Sequence, residues 1–202
     1  MKKFLVLALV ASLAISSGTA AEPEPTPPES TAPLPISDKP FSEWSIGRTF
    51  THLLRVVPSE TPAHLRYAPE YIAQFEVLGG SPVPIPAPDQ EVLTALLASS
   101  SAFGPLRPDR CKFRPGLSLR SGEGSTQQDL LICFACDEIA VVPAGGEISA
   151  IYSFDQPTRD ILLNLSKKLL PDDEAIQELP PVRRDKAAPP PPAQPLPEPE
   201  DN

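Results

Sequence analysis

The chain has 202 residues, 29 of them proline, and 26 acidic against 17 basic side chains for a formal net charge of −9. That balance speaks against a nucleic-acid binder, and a chain of this length holds a single core of ordinary size. Two histidines and three cysteines leave few candidates for nucleophilic or metal chemistry.

The chain opens with MKKFLVLALVASLAISSGTAA, in which Lys2 and Lys3 precede an apolar run from Phe4 to Ile15 and small residues up to Ala21. This pattern predicts a secretory signal peptide over residues 1–21. The run falls short of the ~20 apolar residues of a membrane-spanning helix. The mature protein is therefore expected in the periplasm or secreted, with no membrane span after signal removal, where its cysteines meet oxidants.

Residues 22–44 read as a proline-rich disordered linker and residues 181–202 as a disordered tail, because neither has large apolar side chains enough for a core. Extended as polyproline II, the tail from 187 onward reaches about 50 Å. Its expected role is a spacer or solubilising arm, with a docking peptide for a proline-reading domain as the alternative. The acidity sits mainly in these flanks: 22–43 carry five acids and one base, 172–202 eight acids and three bases, and 44–171 are nearly neutral.

That leaves 45–180 as a single domain. RTFTHLLRVV (48–57) and YIAQFEVLGG (71–80) each suggest a strand, the second ended by its glycine pair. PDQEVLTALLASS, from Pro88, predicts a helix with Val92, Leu93, Leu96 and Leu97 on one face. CKFRPGLSLR (111–120) alternates, Cys111, Phe113, Leu117 and Leu119 sharing one parity, as a half-buried strand would. DLLICFACDEIAVV is apolar on both parities and reads as one central strand covered on both faces. EISAIYSF (147–154) follows a turn at Pro143, Gly145 and Gly146 and completes an antiparallel meander. In PTRDILLNLSKKLL, Ile161, Leu162, Leu165 and Leu169 form a helical stripe, Asp155 is the expected cap, and Pro171 ends the helix. A short turn around DEAIQEL follows, using Ile176 and Leu179. The expected fold class is α+β, an antiparallel sheet of three or more strands with helices packed on it.

The cysteines carry the functional question. Cys133 and Cys136 have the two-residue spacing of a redox pair, but Phe134 and Ala135 between them offer neither the helix start nor the charge that lowers a thiol pKa. In an extended strand, residues three apart lie about 10 Å from each other, beyond the roughly 7 Å bridging limit. Zinc needs about four donors, and His52 and His64 are remote in sequence. If 111–120 and 129–142 form a hairpin, facing positions sum to about 249. Cys111 is then diagonal to Cys136. A register shift of two residues makes those sulfurs face each other, so the expected crosslink is Cys111 with Cys136, leaving Cys133 a buried free thiol.

Arg107, Arg110, Lys112, Arg114 and Arg120 form a basic run. Arg110, Lys112, Arg114 and Arg120 are candidates for an anion-binding surface, against the alternative of cross-strand pairing with Asp137 and Glu138. No hydrolase elbow, phosphate-cradling loop or zinc-protease motif occurs.

The order Cys111-x-Phe113-x-Pro115-Gly116, then DLLICFACDE, then a helix ending Leu-Pro-Asp-Asp (170–173) resembles a family of uncharacterised exported bacterial proteins with a C-x-F-x-P-G segment, a CF-x-C strand and a closing helix ended by P-[DK]-[DE]. The resemblance covers about 70–180. It implies that Cys111, Cys133, Cys136, Pro115 and Gly116 form one constellation, and implies no activity. Together these readings lead to a non-enzymatic, disulfide-stabilised envelope module that binds a protein or cell-envelope component, with no cofactor and no metal. The alternatives are a thiol–disulfide redox protein using Cys133 and Cys136, and a metal-binding protein using all three cysteines.

Overall fold

The computed structural model describes residues 37–60, 71–79, 82–107 and 111–183. The expected signal peptide, most of the linker and nearly all of the tail lie outside them. Among the described residues nine strands form one antiparallel sheet: β1 (Phe50–Pro58), β2 (Tyr71–Ile72), β3 (Phe75–Val77), β4 (Val83–Pro84), β5 (Phe103–Gly104), β6 (Leu117–Ser121), β7 (Gln128–Cys133), β8 (Glu138–Pro143) and β9 (Ala150–Phe154). Their order is β2-β3-β1-β6-β7-β8-β9-β5, with β4 also on β1. Among the described residues four α-helices accompany the sheet: α1 (Ser42–Ser45), α2 (Ala87–Ala98), α3 (Gln156–Leu169) and α4 (Glu174–Gln177). The fold is α+β, as the alternating patterns predict.

The central strands are buried on both sides. Leu130 and Ile132 of β7, Ile139 and Val141 of β8, and Ala150, Tyr152 and Phe154 of β9 join Leu93, Leu97, Leu162, Leu163 and Ile176 from the helices in one cluster. On the opposite face, Leu131, Cys133, Ala140, Val142 and Ile151 meet Ile72, Phe75 and Phe113. Among the described residues no helix covers this second face with a comparable stripe; its cover there is the β2–β3 hairpin and the irregular chain ahead of β6, with Phe75 and Phe113 in edge-to-face contact. A strand sandwiched this way has no polar parity, which explains the uninterrupted apolar run around the cysteines.

Five expectations need correction. DLLICFACDEIAVV is two strands, not one: β7 and β8 pair from Gln128↔Pro143 to Cys133↔Glu138, and Phe134 to Asp137 make the turn. Asp137 takes a left-handed backbone, φ 54°, a conformation that aspartate tolerates better than most side chains. YIAQFEVLGG is likewise a hairpin, β2 pairing with β3, its turn holding Ala73 at φ 52°. The strand expected over 111–120 begins at Leu117. Pro115 has no N–H for a ladder, and the residues on either side of it serve different faces: Phe113 enters the second while Leu117 and Leu119 enter the first. The helix stripes hold in part: Leu93, Leu96, Leu97, Leu162, Leu165 and Leu169 pack on the core, but Val92 is exposed and α3 also buries Thr158, Arg159, Leu163 and Ser166. The packed chain also exceeds the expected 45–180. Phe41 is buried against Phe103 and Tyr152, Trp44 donates to the Tyr152 hydroxyl at 2.8 Å, and Arg183 is buried at the far end.

The β6–β7 register pairs Leu117 with Ile132 and Ser121 with Gln128, the register anticipated for that hairpin. Asp155 caps α3, accepting from the Thr158 N–H at 2.9 Å. Asp173 caps α4, accepting from the Ile176 N–H at 3.1 Å.

Candidate functional site

Three chain segments converge at the β7–β8 turn: the turn itself, a strap of residues 111–116 leading into β6, and the first turn of α3. Cys133 ends β7, Cys136 lies in the turn, and Cys111 begins the strap. A disulfide joins Cys111 to Cys136 across a Cα–Cα distance of 5.5 Å. The pairing is the expected one, reached differently. Neither cysteine sits on a paired strand, and the bond ties the strap to the tip of a hairpin. Cys111 is exposed and Cys136 buried.

Cys133 is the free thiol and is fully buried. Burial pushes its pKa up, because the thiolate loses hydration it would have in water. Backbone N–H groups of Arg114, Cys136 and Ala135 pull in the opposite direction, and the neighbouring Glu138 carboxylate adds to the rise. The Arg114 N–H lies 3.4 Å from the Cys133 sulfur. The sulfur thus satisfies donors of both the strap and the turn, the accounting that buried backbone demands.

The strap is anchored at its other end by Gly116, whose N–H donates to the Ile132 carbonyl at 3.0 Å and whose carbonyl accepts from Val56 at 3.1 Å. Arg55 of β1 also donates to the Gly116 carbonyl, at 2.6 Å, and to Asp173 Oδ2, at 2.8 Å. A Cβ on Gly116 would sit 3.3 Å from the Arg55 guanidinium, so glycine keeps that approach open. Pro115, Gly116 and Asp173 therefore have concrete roles: end the strap, admit Arg55, and cap α4 while pairing with it.

Beneath the turn lies an ion pair that pattern reading overlooks. Arg159, on the buried side of α3, is 1% exposed. Its guanidinium donates to Asp137 Oδ1 and the Phe134 carbonyl, and to the carbonyls of Pro180 and Pro181 at 2.9 and 3.0 Å. It also lies over the Phe134 ring, 5.3 Å from its centroid. Arg107 approaches Asp137 Oδ2 at 3.7 Å and donates to the Phe154 carbonyl at 2.9 Å. Arg183 donates to the Cys136 carbonyl at 3.2 Å. A signal for Arg159 did exist: it falls three, four and seven residues before Leu162, Leu163 and Ser166, a charge on a buried stripe.

Of the expected anion-binding residues, Arg120 is engaged by Asp129, with contacts of 2.8 and 3.1 Å. Lys112 and Arg114 are exposed residues of the strap, and Arg110 lies outside the described residues. His52 sits in β1 with its Nδ1 3.0 Å from the Thr51 hydroxyl. No helix among the described residues is long and apolar enough to cross a membrane. Comparison with protein-family models, with curated proteins and with solved structures finds no match.

Proposed function

We propose that this protein is an exported, non-enzymatic binding module whose sulfur atoms act as scaffolding, and that the outer face of the strap contributes to its recognition surface. The observation that carries the reading is the position of the crosslink: it pins an otherwise irregular strap over a sealed Cys133. A catalytic dithiol needs a thiolate within reach of solvent. Here the free thiol is buried, protonation is favoured, and the exposed sulfur of the pair is spent in the disulfide. Oxidising export compartments suit such a bond.

Arg110, Lys112 and Arg114 would meet the partner, expected to carry phosphate or carboxylate groups on a cell-envelope polymer. The bound strap presents Lys112 and Arg114 without the ordering cost of a free loop.

Thiol accounting tests the scaffold. Alkylation of the native oxidised protein is expected to modify no cysteine, and alkylation after denaturation to modify Cys133 alone. Modification of Cys133 in the native protein, or turnover of a disulfide substrate, would overturn the reading. Co-sedimentation with an anionic envelope polymer tests the surface. Binding is expected to weaken with salt and with Lys112→Glu/Arg114→Glu, and binding indifferent to both changes removes the strap from the interface.

A further inference from the structure

The sulfurs of Cys111, Cys133 and Cys136 all lie within 4.8 Å of one another, the one such converged group of metal-ligating side chains among the described residues. Metal–thiolate bonds of about 2.3 Å place the sulfurs of a trigonal or tetrahedral site about 3.8–4.0 Å apart. The Cys133 sulfur is therefore within reach of a shared ion, while Cys111 and Cys136, bonded to each other in the oxidised chain, have to separate to ligand spacing once reduced. In the oxidised chain, two of the three sulfurs are bonded to each other and have no thiolate to offer. We infer that two-electron reduction of the Cys111–Cys136 disulfide converts this cluster into a three-thiolate site for a soft monovalent cation, Cu(I).

The steps balance. A dithiol reductant closes its own disulfide as the Cys111–Cys136 bond breaks, delivering two electrons and two protons and leaving two thiols. Cu(I) then forms three copper–sulfur bonds while three thiol protons leave to solvent. Thiolates are soft donors and select copper(I) over harder cations. Zinc favours a fourth ligand, and the adjacent carboxylate of Asp137 is already held by Arg159 and Arg107.

Much of the site would survive opening of the crosslink. Cys133 and Cys136 belong to one hairpin whose turn is braced through the Phe134 and Cys136 carbonyls by Arg159 and Arg183. Cys111 rides on the strap, which Phe113 and the Gly116–Arg55 contact keep in place. The Arg114 N–H faces the Cys133 sulfur at 3.4 Å and would donate to it in the bound state. Cys111 is exposed and gives the ion an entrance. The inference is independent of the binding role proposed for the oxidised form, because it concerns the reduced chain.

The test is anaerobic. The full chain is reduced with a phosphine, freed of reductant, and titrated with Cu(I) held by a chromogenic chelator. The reduced protein is expected to withdraw one Cu(I) per chain, with near-ultraviolet thiolate-to-copper absorption, and the oxidised protein none. Cys133→Ser still closes the Cys111–Cys136 disulfide on oxidation, and when reduced it should lose affinity by more than the roughly 10–100-fold typical of outer-shell losses. If reduction loosens the fold, Cu(I) is expected to restore the near-ultraviolet circular dichroism. Equal affinity in the wild type and Cys133→Ser, uptake by the oxidised protein, or affinity unchanged by urea would each overturn the inference.

Discussion

The two faces of the sheet are covered by different means. On one, α2 and α3 lay Leu93, Leu97, Leu162 and Leu163 onto Leu130, Ile132, Ile139 and Val141. On the other, Phe113, Ile72 and Phe75 cover Leu131, Cys133, Ala140 and Val142, and irregular chain takes the place of helix. A helix satisfies its own backbone and spreads its anchorage over several turns. An extended strap cannot, so its backbone needs outside partners, and here those are a sulfur, an arginine and a disulfide. The helical face is thus expected to fail globally and the strap face locally.

The largest effect is expected where the two faces meet. Arg159→Met leaves the Asp137 carboxylate buried without its main partner, which should cost about 3–5 kcal/mol. Urea unfolding measures it, and adding Asp137→Asn should recover part of the loss. On the helical face, Leu162→Ala is expected to cost about 2–5 kcal/mol and to raise amide exchange across the whole sheet. A loss confined to α3 would blur the contrast between the faces.

Removing the crosslink with Cys111→Ser/Cys136→Ser should cost roughly 3 kcal/mol in the chain-entropy account. Its signature is local: exchange should rise in 111–116 well before it rises in α2 or α3, and uniform exposure would count against a separable strap. Asp155→Ala, which removes the α3 cap, is expected to cost about 0.5–2 kcal/mol, read from the thermal midpoint.

The smallest effect is a pH dependence carried by Cys133. Its folded pKa is raised by burial and by Glu138, so the native state holds the proton more tightly than the unfolded one. The contribution is intact below the ordinary thiol pKa of about 8.5 and is lost as pH climbs from there through the folded value. Cys133→Ser should flatten that alkaline decline. A decline of the same slope in the variant would assign it to other groups.

Side-chain periodicity made several features legible. Asp155 and Pro157 announce α3, the Leu117–Ile132 register follows from the hairpin geometry, and the Cys111–Cys136 pairing was reachable from spacing. The β7–β8 turn was not legible, because Phe134-Ala135-Cys136-Asp137 contains no glycine, proline or asparagine and Asp137 supplies the left-handed residue itself. Phe113 was assigned to the wrong face because alternation carries through Pro115 and Gly116 on paper, whereas the residues on either side of them serve different faces.

Local chemistry, then, was enough to define an α+β chain with two long helices, a meander and one crosslink, since caps, apolar periods and cysteine parity act over a few residues. The convergence of Cys133 with that crosslink, the burial of Arg159 against Asp137, and the bracing of Gly116 by Arg55 depend on segments 19 to 61 residues apart in the chain. Contacts at such separations are chosen by the packing of the whole sheet, which no short window of residues encodes.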